Sequence, residues 1–202
     1  MVKWLASDDF IAYPDALDTM HSITRDIQQG GEECIWLLEH PPLYTAGTSA
    51  KPQDLLVADR FPVFETGRGG QYTYHGPGQR VAYIMLDLNQ RKPDLRWFVR
   101  ELENWIIRIL AEFDVKGFQR EGRVGIWTDT PNGEAKIAAI GVRVSKWVTY
   151  HGIAINVHPD LSHFGGIVPC GLPQFGVTSL HDLGINVTTD QIDTVIRNTC
   201  EF

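Results

Sequence analysis

Arg123-Val124-Gly125-Ile126-Trp127-Thr128-Asp129 and the longer run from Glu134 to Lys146 are two β-like segments joined through Pro131-Asn132-Gly133, and a third, Trp147 to His158, follows directly. Asn-Gly closing a short polar stretch between apolar runs is a strong hairpin signal, because both residues tolerate the positive φ that tight turns demand. The spacing therefore predicts neighbouring antiparallel strands. Immediately upstream, from Asp94 to about Asp114, Leu95, Phe98, Val99, Leu102, Trp105, Ile106, Ile109, Leu110 and Phe113 recur at i, i+3, i+4 and i+7. That period marks an amphipathic helix with one face in the core.

Outward from this centre the pattern repeats. Leu17, Met20, Thr24 and Ile27 have helical spacing between Tyr13-Pro14 and the Gly30-Gly31 stop, and Cys34 to Glu39 reads as a short buried strand. His40 to Arg60 is rich in proline and glycine and reads as a loop long enough to be functional. Pro62 to Thr66 and Arg80 to Leu88 read as strands flanking a second loop. A last helix is expected to start at Thr188, with Gln191 completing a capping box and Ile192, Val195 and Ile196 turned inward. There is no internal repeat, low-complexity tract or linker. The expectation is one domain over residues 1–202, of α/β (α+β) class, with helices flanking a mixed sheet.

Composition narrows the function classes. Across 202 residues, 18 Lys and Arg stand against 25 Asp and Glu, a net charge of -7, and no basic run exceeds a pair. A surface that tracks nucleic-acid phosphates needs a basic patch, so nucleic acid is not an expected partner. With 43% hydrophobic and 21% charged residues the chain is expected to fold around an ordinary core. The three cysteines, Cys34, Cys170 and Cys200, are too few and odd in number for a disulfide scaffold. The N-terminus turns acidic before a signal-length apolar stretch develops, and no run of about 18 apolar residues occurs. A soluble, cytoplasmic protein without a membrane partner is expected.

Two segments carry chemistry. Gly67-Arg68-Gly69-Gly70-Gln71-Tyr72-Thr73-Tyr74-His75-Gly76-Pro77-Gly78-Gln79 places five glycines in thirteen residues between two strands. Such density lets backbone amides approach a ligand. It is neither a Walker loop nor a dinucleotide fingerprint, since no Gly-Lys-Ser/Thr closes it and Tyr72 stands where a third glycine would be. A ligand-free glycine-rich hairpin is the plain alternative, against which Arg68 and His75 are costly choices for a mere turn. In Ile167-Val168-Pro169-Cys170-Gly171-Leu172, a cysteine between proline and glycine has the surroundings of a nucleophile beside an oxyanion hole. The alternative is a small buried hydrophobe, the reading that suits Cys34 best; Cys200 looks incidental.

A thiol of pKa ~8.5 is little ionised at neutral pH and needs a helper. Lys136, opening Lys136-Ile137-Ala138-Ala139-Ile140-Gly141 among small apolar neighbours, is one candidate; His75 and His151, each beside a glycine, are rivals. Zinc bound by His158, His163 and Cys170 matches no standard spacing. Serine hydrolysis at Gly47-Thr48-Ser49-Ala50-Lys51 lacks the closing glycine of a nucleophile elbow.

Taken together, Arg68 to Gln79, Lys136 to Gly141, His151-Gly152-Ile153-Ala154-Ile155-Asn156-Val157 and Pro169-Cys170-Gly171 resemble the lipoyl(octanoyl) transferase family, over almost the whole chain and in order. The resemblance implies the biotin/lipoate protein ligase-like fold. It also implies transfer of an octanoyl group from octanoyl-acyl carrier protein to a lysine of lipoyl domains in lipoate biosynthesis. The implied acceptors are the lipoyl domains of 2-oxoacid dehydrogenase complexes and the glycine-cleavage H protein. By the same resemblance Cys170 carries the acyl group as a thioester, and Lys136 lowers the thiol pKa and acts as acid and base. Arg68, Gly69, Gly70, Gln71, Tyr72, Thr73, Tyr74 and His75, with Ala139, Ile140, Gly141, Gly152, Ile153 and Ala154, line the acyl site. No cofactor or metal is implied, and a monomer is expected. Thioester exchange is nearly isoenergetic and aminolysis runs downhill, which agrees with the lack of a Walker loop. The competing readings are an ATP-dependent lipoate or biotin ligase on the same fold and a non-catalytic acyl-binding module. Because an acidic carrier must dock on an acidic chain, a local basic patch including Arg68 or Arg143 is expected at the pocket mouth.

Overall fold

The computed structural model describes residues 2–168 and 175–202. In chain order its elements are β1 (Lys3–Phe10), α1 (Tyr13–Ile27), β2 (Cys34–Glu39), β3 (Leu43–Ala46), β4 (Val63–Glu65), β5 (Tyr72–His75), β6 (Gln79–Met85), α2 (Leu95–Ala111), β7 (Phe118–Arg120), β8 (Arg123–Thr130), β9 (Gly133–Ser145), β10 (Val148–Asn156), β11 (Gly176–Val177) and α3 (Thr189–Asn198). The hairpin at Pro131-Asn132-Gly133 forms between β8 and β9, with Gly133 at φ 103°.

The main sheet runs β1-β2-β6-β10-β9-β8-β7, with β11 added to β9. β1 and β2 are parallel, and α1 supplies the crossover that such a pair needs. The other neighbours along the path are antiparallel. A smaller sheet, β4-β3-β5, lies apart from it.

Side-chain alternation explains the layering. In β2, Ile35 and Leu37 join a core with α2 and α3, whereas Cys34, Trp36 and Leu38 join one with α1; in β6, Ala82 and Ile84 divide from Val81, Tyr83 and Met85 in the same way. Strands buried on both faces read as continuous apolar runs, as β2 and β6 do. On α2, Phe98, Leu102, Trp105, Ile106, Ile109 and Leu110 are fully buried, each worth roughly 1.5–3 kcal/mol of transfer energy. Asp94 caps that helix by accepting from Arg96 N and Trp97 N, and Thr188 with Gln191 forms the expected capping box on α3.

Among the described residues, five strands, β1, β3, β5, β7 and β11, are not expected from the sequence, and the first three bear on the architecture. Leu43–Ala46, placed within a loop, is a fully buried strand, because it pairs with β4 on one side and β5 on the other. Tyr72–His75, within the glycine-rich stretch, is the partner strand. Lys3–Phe10 is a largely exposed edge strand whose residues show no alternation and which, among the described residues, pairs with β2 alone. Among the described residues no helix is long and apolar enough to cross a membrane.

Candidate active site

A cavity of about 350 Å³ opens between the two sheets, within the size range of small-molecule clefts. Its floor is the main sheet: Val81 and Tyr83 of β6, Lys136, Ala139, Ile140 and Gly141 of β9, and His151, Gly152, Ile153 and Ala154 of β10. The register sets Gly141 opposite Gly152 and Gly152 opposite Tyr83, so three strands present adjacent small or planar groups. Its roof is Thr45 of β3, Tyr72, Thr73 and His75 of β5, and Arg68, Gly70 and Gln71 of the glycine-rich loop. Tyr13, the first residue of α1, and Gly122, Arg123 and Val124 complete the walls. No carboxylate is among the described residues that line it.

Most of the predicted acyl-site residues meet here. Gly69 and Tyr74 are not part of the wall; Tyr74 points instead into an aromatic cluster, where its hydroxyl meets His163 Nδ1 at 2.8 Å. Arg68 is buried and staples the loop to β3, donating to Thr45 O at 2.9 Å, Thr45 Oγ1 at 2.6 Å and Gln71 O at 3.0 Å. This corrects the expectation of Arg68 as a docking charge, since its guanidinium faces inward. Arg143 is exposed and lies over the Tyr150 ring. Arg68 also explains a glycine: a Cβ on Gly141 would sit 2.8 Å from Arg68 Cδ.

Lys136 is buried, and Nζ donates to Val124 O at 2.8 Å above the Trp127 ring. The apolar stretch of wall from Ala139 to Gly141 continues from it along β9. Cys170 and its two neighbours lie outside the described residues, so its distance from Lys136 is not part of this geometry.

His75 and His151 line the cavity and His40 lies behind Tyr83, each held by a hydrogen bond. His151 Nε2 meets Tyr13 Oη at 2.9 Å, His40 Nε2 meets Tyr83 Oη at 2.7 Å, and His75 Nδ1 meets Gln79 Oε1 at 2.6 Å. Burial is the main cause that lowers all three, His40 to about 4, His151 to about 3 and His75 well below its ordinary value; the Arg68 charge adds to it at His75 and His151. Burial likewise raises Tyr13 to about 12. His151 adopts φ 60°, an unfavourable backbone state held by its packing against Tyr13 and Tyr150.

Residues 12–201 match the lipoyl protein ligase A/B catalytic domain family. The octanoyltransferase of Paramagnetospirillum magneticum is 60% identical over 200 residues, covering 98% of this chain and 94% of the relative. The chain belongs to the octanoyltransferase family. The octanoyltransferase of Brucella melitensis is 56% identical over 210 residues, covering 99% of this chain and 80% of its own. A Thermoplasma acidophilum protein described as a lipoate protein ligase, with bound lipoic acid, shares the fold at a TM-score of 0.72 and 15% identity, covering 98% of this chain and 83% of that one. The fold of this octanoyltransferase-family chain is thus that of the lipoate protein ligases, as the resemblance implied. Membership makes the chain an enzyme and removes the non-catalytic acyl-binding module from the alternatives.

The two described thiols of this family member suit no nucleophile. Cys34 is buried and pushed up to about 11, and burial also raises Cys200. Among the described residues no three His, Cys, Asp or Glu side chains gather to hold a metal ion. Sequence reasoning missed Tyr13, Thr45, Ser49, Val81 and Tyr83 as cavity residues and His40 as the partner of Tyr83. Each sits in a segment whose local pattern reads as core, helix start or loop, and only the closure of one sheet over the other brings them together.

Proposed function

We propose that the chain moves an octanoyl group from octanoyl-acyl carrier protein, through a thioester on Cys170, to a lysine amine of lipoyl domains. The observation that carries this reading is buried Lys136 on the wall of a cavity that, among the described residues, no carboxylate lines, in a chain 60% identical to an octanoyltransferase. Lys136 accepts the Cys170 proton, and the thiolate attacks the carrier thioester carbonyl. The S–C bond to the carrier then breaks, and its thiol leaves with the proton that Lys136 returns. In the second half the acceptor lysine amine attacks the Cys170 thioester. Its surplus proton passes to Lys136 as the amide forms and the Cys170 sulfur departs.

The aliphatic wall of Val81, Ala139, Ile140, Ile153 and Ala154 takes the alkyl chain. The seven carbons beyond the carbonyl would be worth at most roughly 5–6 kcal/mol on full burial, at about 0.8 kcal/mol each. Residues 1–202 act as a single catalytic domain, monomeric and cytoplasmic, with 2-oxoacid dehydrogenase lipoyl domains and the glycine-cleavage H protein as acceptors. The glycine-rich loop from Arg68 to His75 serves to hold the thioester end of the donor.

The test is intact mass after incubation with octanoyl-acyl carrier protein and no ATP. A hydroxylamine-labile octanoyl adduct on the wild type, absent from Cys170→Ser and slowed in Lys136→Ala, is the expected result. Acceptor modification that appears only with ATP and free acid would overturn it in favour of a ligase.

A further inference from the structure

Among the residues of α2 that are buried, Phe98, Leu102, Trp105, Ile106, Ile109 and Leu110 are apolar and Glu103 alone is charged. A carboxylate on a core-facing stripe is unfavourable unless something polar receives it. Its Oε1 accepts the backbone N–H of Gly125 at 3.5 Å. The peptide that carries this N–H begins with the Val124 carbonyl, whose oxygen accepts Lys136 Nζ at 2.8 Å. Both hydrogen-bonding groups of one peptide are therefore engaged, the N–H by a helix carboxylate and the C=O by Nζ of the proposed acid and base.

The glycine is required there. Gly125 has φ 111°, and a Cβ on it would lie 2.5 Å from Lys136 Cε and 2.9 Å from Nζ. The strand is also irregular here, since the β8–β9 register shifts between Ile126 and Trp127. A bare, irregular peptide needs an outside anchor to stay in place. Glu103 supplies one from the helix layer.

We propose that Glu103 is a positioning residue for Lys136: it holds the Val124–Gly125 peptide on which Nζ rests and sets a carboxylate close to that nitrogen. This rests on the acid and base role proposed for Lys136. When the neutral Lys136 amine takes the Cys170 proton, the S–H bond breaks, an N–H bond forms, and the new cation arises near a carboxylate already in place. Among the described residues, two arginines bear on this pair. Arg100 acts on Glu103 from its own helix; Arg123, beside Lys136 on the cavity wall, is paired with Glu134 of β9. Burial pushes the Glu103 carboxyl up, while the Gly125 N–H, Lys136 and Arg100 pull it down, in that order.

Glu103→Gln separates the two contributions, because the amide oxygen can still accept from Gly125 N–H while the charge is gone. Steady-state transfer from octanoyl-acyl carrier protein to a lipoyl domain is measured across pH 6–9.5, with thermal unfolding as the fold control. The expected result is an unchanged melting curve, an unchanged KM for the donor and a kcat roughly tenfold lower across this pH range. Glu103→Ala, which also frees the peptide, is expected to lose more. A Glu103→Gln enzyme with wild-type kcat across the range would overturn the role of Glu103 while leaving that of Lys136 intact. A Lys136→Ala enzyme of wild-type activity would overturn both.

Discussion

Acid should destabilise this protein well before its carboxylates titrate, because three histidines are buried neutral, two lining the cavity and one behind Tyr83. His40, His75 and His151 have 0%, 8% and 3% of their surface exposed. Their pKa values fall to about 4, well below normal and about 3, respectively, with burial the largest cause in each case. An unfolded chain returns each to about 6.5. The folded state is thus favoured in full above pH 6.5. That advantage is lost progressively as pH falls below 6.5, because the unfolded chain binds protons the folded one refuses, and the loss is complete only near the folded values. One unit below 6.5, each histidine costs RT ln(1 + 10), about 1.4 kcal/mol, and the three together about 4 kcal/mol, a large part of a typical domain's 5–15.

Other shifted groups do not mimic this window. Asp94, Glu134 and Asp160 have lowered pKa values, so their contributions disappear only below their ordinary values of 3.8, 4.5 and 3.8. Glu103, raised by burial, acts in the opposite direction. Urea unfolding followed by tryptophan fluorescence at pH 7.5 and 5.5 should show the unfolding free energy falling by about 4 kcal/mol. His151→Gln should reduce that fall by about a third. Equal stability at the two pH values would refute the reasoning, as would a fall unaffected by replacing any of the three.

Thiol labelling of the native protein at pH 7.5 should leave Cys34 unmodified until urea unfolds the chain, because burial holds it protonated; rapid native labelling at Cys34, mapped by peptide mass, would contradict this. Arg80 is buried and donates to both oxygens of Asp193 at 2.7 Å, so Asp193→Ala strands a guanidinium and should cost about 3 kcal/mol in urea unfolding. Gly141→Ala puts a Cβ 2.8 Å from Arg68 Cδ, so it should cost about 1–3 kcal/mol and slow adduct formation by displacing the glycine-rich loop. Wild-type stability and acylation in that variant would show that Arg68 yields freely.

Local pattern carried much of the fold. The period of α2, the Thr188–Gln191 box and the Asn-Gly turn each depend on neighbours a few residues apart, and each forms where its residues say. Leu43–Ala46 was not legible in the same way. Its strand character comes from partners at Val63–Glu65 and Tyr72–His75, and nothing in four residues after Pro41-Pro42 announces them. Glu103 was invisible for a related reason. Within its helix it reads as one more polar residue, and only packing of α2 against β8 places it under Gly125.

The sequence by itself determined the class of fold, the family and the residue types available for chemistry, since periodicity and ordered motifs survive without coordinates. Tertiary structure alone decided which of them share a cavity. It turned Arg68 from an expected surface charge into an internal staple, sent Tyr74 away from the wall, and set Tyr13, His151, Tyr83 and His40 together across as many as 138 residues. The reason is physical: a hydrogen bond between distant residues depends on the sheets closing over one another, and that closure is a property of the whole packed chain.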